Sequence, residues 1–158
     1  MCSWNIAGAK DKLHNSAEAK NKIKEFVDQF DVIWILETKQ ILSTKISGFI
    51  SHYNPSSAGE HRGGILLLVK NYLEKYIVNV NTNFEGQIWL ELSLYPKISF
   101  GGVYIPPIDS PFFNQSLMAN MNAHIERKKN VVILDDFNAS LGHLQYPIKV
   151  VAIVSTLI

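Results

Sequence analysis

The amino-acid sequence predicts one α/β (α+β) domain, with a mixed sheet system and helices packed outside it. Its 158 residues are about the length of a single domain. Short apolar runs, too brief for helices, occur between two longer stretches of helical periodicity. Apolar residues make up 47% of the chain and charged residues 18%, which is typical of a globular protein with a sizeable core.

The first helix is predicted to begin at Asn15, because Asn15-Ser16-Ala17-Glu18 has the pattern of a capping box. Apolar residues follow at helical spacing on one face, and lysines with interleaved acids occupy the remainder. We interpret the lysines as a solvated face rather than a nucleic-acid patch. The expected core-facing residues are Ala19, Ile23, Phe26, Val27 and Phe30.

Strands are predicted where short runs are rich in β-branched and aromatic residues. Residues 31–37 are apolar throughout their middle, as expected of a strand buried on both faces. Turn-forming stretches at 54–59 and 95–97 separate later runs. The further predicted strands are residues 64–69, 88–94, 98–105 and 131–134.

A second helix is predicted over residues 112–127, after the entry signal Asp109-Ser110-Pro111. Met118 has the spacing of an ordinary core residue on this helix. The chain shows no repeat of fixed period. The residues expected to face the core are Leu117, Met121, His124 and Ile125.

Charge and cysteine content narrow the classes of function. Fifteen Lys and Arg against fourteen Asp and Glu give a net charge of +1, so a polyanion could be recognised only by a local site. The single cysteine, Cys2, excludes an internal disulfide framework and suits a reducing compartment. The histidines lack zinc-ligand spacing. We expect a soluble intracellular protein, in the nucleus or cytoplasm, with no membrane span.

Polar residues end several of the predicted strands, where ligand crevices form in open α/β sheets. Carboxylate and amide oxygens suit a hard cation such as Mg²⁺, which can polarise a phosphoryl oxygen. The alternative is that each residue is a cap, a turn former or a core aromatic with a wet tip, and spacing alone leaves both interpretations open. The residues are Asn5, Glu37, Tyr104, Asp135, Asp136 and Asn138.

Five short segments occur in a specific order along the chain. They are Ser3-Trp4-Asn5-Ile6-Ala7-Gly8, Ile35-Leu36-Glu37-Thr38, Arg62-Gly63-Gly64-Ile65, Val103-Tyr104-Ile105-Pro106-Pro107 and Asp136-Phe137-Asn138-Ala139. This order resembles the endonuclease/exonuclease/phosphatase family of DNase I and exonuclease III relatives. Within that family it is most similar to the endonuclease domain of non-LTR (LINE-type) retrotransposons. The resemblance covers residues 1–142 and implies a DNase I-like two-sheet β-sandwich flanked by helices.

The resemblance also implies roles for individual residues at a divalent-metal phosphodiesterase site. Glu37 would be the metal ligand, and Asn5 would help to orient metal-bound water and phosphate. Tyr104 would contact the scissile phosphate. Asp136 would position the attacking water or protonate the leaving group, and Asn138 would stabilise charge on the phosphoryl oxygens.

The cofactor that the resemblance implies is Mg²⁺, with Mn²⁺ as the alternative. The implied partner is DNA, bound by a monomer. Arg62 and Lys39 are candidate contacts to the nucleic-acid backbone, and a solvated surface is the other interpretation of both.

Two features depart from the family pattern. Asp135 stands where the family has Gly, and it adds bulk and a second negative charge beside Asp136. The family's final segment, with its Asp-His pair, has no counterpart, and residues 143–158 form a divergent apolar tail that supplies either a replacement strand or an exposed edge.

These departures predict a catalytically impaired, C-terminally incomplete endonuclease domain. One alternative is a working phosphodiesterase in which Asp135 or His143 replaces the lost base. The others are a non-enzymatic binding module and a gene fragment that retains the sandwich.

Overall fold

The structure is a computed structural model of the chain. It describes residues 1–6, 17–39, 46–56, 63–107, 109–111, 113–128, 130–136 and 150–155. For residues 17–20, 22, 135, 136 and 150–155 this description is of the main chain.

The described residues form two mixed β-sheets. The four-stranded sheet has the order β1-β2-β4-β3, and the five-stranded sheet has the order β5-β6-β7-β8-β9. The pairs β1–β2 and β7–β8 are parallel, and the other neighbours are antiparallel. The strands are β1 Cys2–Asn5, β2 Val32–Leu36, β3 Phe49–Asn54, β4 Ile65–Lys70, β5 Ile77–Asn81, β6 Gln87–Leu92, β7 Ile98–Tyr104, β8 Asn130–Asp136 and β9 Val150–Ser155.

The two sheets pack face to face around the main core. Strand β2 is buried along its whole length, as its uninterrupted apolar sequence predicts. Its alternate residues Trp34 and Leu36 face the five-stranded sheet, where they pack with Ile88 and Leu90. The indole nitrogen of Trp34 donates a 3.1 Å hydrogen bond to the carbonyl oxygen of Ile88, which joins the sheets directly.

One helix covers the outer face of each sheet. Helix α1, Ala17–Val27, packs Ile23 and Val27 against the residues of β2 that point away from the sandwich. Helix α2, Gln115–Arg127, packs Met121 against Val103 and Ile133. A 3-10 helix, Asn71–Tyr76, joins β4 to β5. The predicted two-sheet sandwich flanked by helices is therefore confirmed.

Several predicted boundaries differ from the structure. Helix α2 begins three residues later than the predicted residue 112, because the Asn114 side chain accepts a 2.9 Å hydrogen bond from the Ser116 N–H and caps the helix there. Strands β3 and β5 were not predicted. The capping box expected at Asn15 lies outside the described residues.

Strand β9 lies at the edge of the five-stranded sheet, antiparallel to β8. Its pairing runs from Asp135 opposite Val150 to Asn130 opposite Ser155. This part of the tail therefore pairs as a strand. No helix in the described part of the chain is long and apolar enough to cross a membrane.

Candidate functional site

The sandwich brings several strand ends together. Asn5, the last residue of β1, lies beside Leu36, the last residue of β2. Tyr104 and Asp136, the last residues of β7 and β8, lie beside each other in the second sheet. Strands β1 and β8 contact each other across the sandwich, and so do β2 and β7. Because each pair is parallel, Asn5 and Leu36 end together in the first sheet, and Tyr104 and Asp136 end together in the second.

A hydrogen bond between Asn5 and Glu37 joins the first two of these strand ends. The Asn5 side-chain amide, Nδ2, donates to Glu37 Oε1 over 3.1 Å, although the residues are 32 positions apart in the sequence. The β1–β2 ladder continues to this point, since the Ile6 N–H donates a 3.1 Å bond to the Leu36 carbonyl. Both side chains are half-buried. The amide therefore holds the carboxylate in a defined orientation at the rim of the sandwich.

A β-bulge places Glu37. Leu36 pairs with Ile65 in the regular ladder, and the Lys39 N–H then donates a 2.7 Å bond to the Gly63 carbonyl. The β2 side of this ladder holds one residue more than the glycine side, and Glu37 lies in the bulge with φ 53°. This left-handed conformation costs roughly 1–2 kcal/mol in a residue with a Cβ. A bulge changes the direction of a side chain, and here it turns the carboxylate toward Asn5.

Tyr104 lies against the glycine segment of the opposite sheet. A Cβ built on Gly63, whose φ is 62°, would lie 4.0 Å from Tyr104 Cε1 and 2.9 Å from Ser56 Cβ. The Tyr104 N–H donates a 2.9 Å hydrogen bond to the carbonyl of Gly86 in the β5–β6 loop. The neighbouring Glu85 carboxylate accepts a 3.4 Å hydrogen bond from Ser56 Oγ. The aromatic ring and this loop thus belong to the same rim as Glu37.

Sequence reasoning named Gly63 as part of a family motif, but it did not identify Ser56 or Glu85 at this end of the sandwich. Ser56 lay in a predicted turn, and Glu85 lay between predicted strands. The adjacent glycines Gly63 and Gly64 were the available signal, because consecutive glycines before an apolar strand indicate close approach or positive φ.

The structure describes the other candidate residues in part. Lys39 is half-buried, has φ 60° and is fixed through its main chain to Gly63. Asp136 has its backbone beside Tyr104, and Asp135 has its backbone beside Val103. Arg62, Asn138 and His143 lie outside the described residues.

The donor atoms that come together fit a small hard cation. Glu37 supplies a carboxylate and Asn5 a side-chain amide, and Mg²⁺ is held by one or two carboxylates while it keeps several waters. Within the described ranges, no three residues of the types His, Cys, Asp and Glu form a cluster that could enclose a metal.

Two facing mixed sheets, with polar strand ends gathered at one end, define the class of fold. Residues 2–149 match the model of the Endonuclease/Exonuclease/phosphatase family, and the chain belongs to that family. The predicted membership of this family is thus confirmed, and the LINE-type subtype stays a prediction. A search of curated proteins gave no match.

Two solved structures share the fold. AP endonuclease LMAP from Leishmania major is similar with a TM-score of 0.70 and 17% sequence identity, over 87% of this chain and 54% of that one. The catalytic domain of APE2 from Xenopus laevis is similar with a TM-score of 0.59 and 16% identity, over 87% of this chain and 58% of that one. The chain therefore spans a little more than half the length of either structure.

Proposed function

We propose that the chain is a divalent-metal-dependent phosphodiesterase domain of the type found in LINE-type retrotransposons, and that it cleaves DNA with impaired activity. The observation that carries the proposal is the 3.1 Å hydrogen bond from Asn5 to Glu37, which orients a carboxylate at the strand ends. Family membership supports phosphoester chemistry at this position. The retrotransposon type is supported by the Glu37-Thr38, Gly63-Gly64 and Tyr104-to-Pro107 motifs taken together.

In this proposal Glu37 binds the cation and Asn5 keeps the carboxylate aimed at it. A bound Mg²⁺ or Mn²⁺ supplies charge neutralisation and Lewis acidity at a phosphoryl oxygen. The Tyr104 hydroxyl donates a hydrogen bond to a non-bridging oxygen of the phosphate as negative charge accumulates there. Asp136, next to Tyr104 in the sheet, directs the attacking water, and Asn138 donates to the phosphoryl oxygens.

DNA is the proposed substrate, and Lys39 and Arg62 are the proposed contacts to its backbone. A net charge of +1 gives the chain little long-range attraction for a polyanion, so binding has to come from the rim itself. Because both structural neighbours are described as an AP endonuclease or an APE2 catalytic domain, intact and abasic DNA are both relevant test substrates.

The test is nicking of supercoiled plasmid by the 158-residue chain in Mg²⁺ or Mn²⁺, at low salt. Glu37→Gln keeps the shape of the side chain and removes its charge. Glu74→Gln makes the same change on the exposed 3-10 helix and serves as the matched control. In keeping with the impairment that the sequence predicts, we expect slow nicking that chelation abolishes, that Glu37→Gln lowers by about 10²-fold or more, and that Glu74→Gln leaves unchanged.

Two outcomes contradict the proposal. Wild-type chain that leaves the plasmid intact in both metals is not a phosphodiesterase in this form. Nicking that persists unchanged in Glu37→Gln does not arise from this site. Abasic and intact duplexes of the same sequence then separate the subtypes, since equal cleavage of both supports the retrotransposon type and exclusive cleavage of the abasic duplex contradicts it.

A further inference from the structure

Thr38, the residue after Glu37, is fully buried together with its polar hydroxyl group. Thr38 is 0% exposed, and its hydroxyl has no hydrogen-bond partner among the residues that the structure describes. A Cβ built on Gly64 would lie 2.6 Å from Thr38 Oγ1 and 3.2 Å from the hydroxyl of Tyr53. The Thr38 side chain therefore occupies the space directly above the Cα of Gly64.

The backbone of the same two residues is hydrogen-bonded. The Thr38 N–H donates a 3.1 Å bond to the Gly64 carbonyl, and Gly64 has φ 80°. Glu37 thus has a regular ladder pair before it and a tightly packed, hydrogen-bonded residue after it. Because Glu37 itself has a left-handed backbone, such flanking contacts are what can hold it in that strained state.

We propose that Gly64 is a positioning residue for Glu37. Because Gly64 has no side chain, there is room for the Thr38 side chain to pack above it. This packing maintains the bulge conformation of Glu37 and keeps its carboxylate within hydrogen-bond distance of Asn5. The inference rests on the proposed function in that it takes Glu37 as the metal ligand. It goes further, because it assigns the orientation of that ligand to a contact on its buried side.

Gly48 offers a matched control for the strain of a left-handed glycine. It has φ 90°, and a Cβ built there would meet nothing within 4 Å. Gly48→Ala therefore introduces the same unfavourable backbone conformation without steric overlap. Gly64→Ala adds overlap with Thr38 to that strain. If Gly64→Ala changes the orientation of Glu37 more than Gly48→Ala does, the additional change is due to steric overlap above Gly64.

The experiment has one readout without metal and one with it. In the metal-free 158-residue chain, the side-chain amide resonances of Asn5 report its bond to Glu37, and Glu37→Gln gives the reference for their perturbation. Affinity for Mn²⁺ is measured from the loss of the electron paramagnetic resonance signal of the free ion. We expect Gly64→Ala to shift the Asn5 resonances and to weaken Mn²⁺ binding about tenfold, and Gly48→Ala to do neither.

The double variant Thr38→Ala/Gly64→Ala tests the steric step. Removal of Oγ1 makes room for the new methyl, so we expect Mn²⁺ affinity to recover at least threefold relative to Gly64→Ala. If Gly64→Ala does not fold, the decision passes to Thr38→Ala. This variant loses the Thr38 side-chain atoms that pack above Gly64, and it adds no overlap at Gly64. It should therefore shift the Asn5 resonances and bind Mn²⁺ more weakly than wild type.

The outcomes separate the inference from the proposed function. Unchanged Asn5 resonances in Gly64→Ala, or equal effects of Gly64→Ala and Gly48→Ala, overturn the positioning role, and so does a double variant that recovers nothing. In the fallback case, a wild-type response of Thr38→Ala overturns it. Shifted Asn5 resonances in a protein whose wild-type form takes up no Mn²⁺ support the positioning contact and overturn the metal site of the proposed function.

Discussion

His124 and Ser99 form a buried hydrogen bond, with 3.0 Å between His124 Nε2 and Ser99 Oγ. The imidazole also stacks on the indole of Trp89, with ring centroids 3.9 Å apart. Burial lowers the pKa of His124 below its usual 6.5, the charges of Lys128 and Arg127 lower it further, and Glu91 opposes them. His124 is therefore a core residue that fixes α2 to the sheet, and its buried environment opposes protonation.

The first prediction concerns the pH dependence of stability. Since the folded-state pKa of His124 is lowered, the unfolded chain takes up a proton near pH 6.5 that the folded chain resists. Stability is therefore lost as the pH falls below about 6.5. Burial lowers the pKa of His52 as well, so it acts in the same direction. We expect urea denaturation to give a smaller free energy of unfolding at pH 5.5 than at pH 7.5.

Two variants assign this effect to individual histidines. His124→Gln and His52→Gln should each reduce the difference between the two pH values, and the double variant should reduce it further. The only shifted carboxyl among the described residues, Asp28, has its pKa lowered from 3.8 by Lys24 and Lys70, so it titrates below this range. A wild-type chain that is equally stable at both pH values would contradict the lowered pKa of His124.

The second prediction concerns the glycine pair in β7. Gly101 and Gly102 face opposite sides of the sheet, and a Cβ on either would overlap a tryptophan ring, Trp89 for Gly101 and Trp34 for Gly102. Because Trp34 is fully buried and bonded to the Ile88 carbonyl, its ring has no room to move. Gly102→Ala should therefore cost at least ~3 kcal/mol of unfolding free energy, at the upper end of overpacking effects.

The control for this prediction is Gly48→Ala, which meets open space. It should cost only roughly 1–2 kcal/mol, which is the cost of a left-handed conformation in a residue with a Cβ. Unfolding in urea measures both variants. Equal losses in the two would show that the Trp34 ring can shift to admit the methyl group.

Local patterns predicted those parts of the fold whose neighbours are close in sequence or uniformly apolar. Strand β2 was predicted because its residues form a short uninterrupted apolar run, and the core face of α2 because its apolar residues have a helical period. Asn5 and Glu37 were selected as candidates because polar residues that follow buried strands meet at a sheet edge. These predictions needed no knowledge of which strands pair across the molecule.

The features that escaped prediction depend on partners far away in the sequence. Asn54 is of a residue type that is common in turns. Its side-chain amide is nevertheless buried and donates to the carbonyls of Phe84 and Gln87, at 2.6 and 2.8 Å. The bulge at Glu37 depends on a pair of glycines that directly precede β4. Strand β3 lies at a sheet edge and has three apolar and three polar residues without strict alternation, so its sequence resembles a loop.

The third prediction concerns the buried hydroxyl of Thr38. A buried polar atom that lacks a partner costs roughly 1–3 kcal/mol of stability. Thr38→Val replaces the hydroxyl with a methyl group of similar size and keeps a side chain of the same shape packed above Gly64. We expect the free energy of unfolding in urea to rise by about 1 kcal/mol, with Mn²⁺ affinity unchanged.

Thr38→Ser is the complementary control. It keeps the hydroxyl and loses the methyl group, so it should lower stability by about 1 kcal/mol through lost packing. If Thr38→Val is destabilised instead, the hydroxyl has a hydrogen-bond partner in solution, such as a buried water shared with Tyr53.

The fourth prediction separates the chemistry of Tyr104 from its packing. The ring of Tyr104 packs near the glycine segment, whereas the hydroxyl is the group assigned to the phosphate. Tyr104→Phe keeps the ring and removes the donor. Removal of one donor to a developing oxyanion typically lowers kcat by about 10²–10³-fold. We expect a loss of that order in single-turnover plasmid nicking, with Mn²⁺ affinity unchanged. Tyr95→Phe, which removes a hydroxyl from an exposed tyrosine in the β6–β7 turn, should nick at the wild-type rate. Equal nicking by Tyr104→Phe and wild type would show that the hydroxyl does not contact the scissile phosphate, and a matching fall in stability would assign the loss to the fold rather than to the reaction.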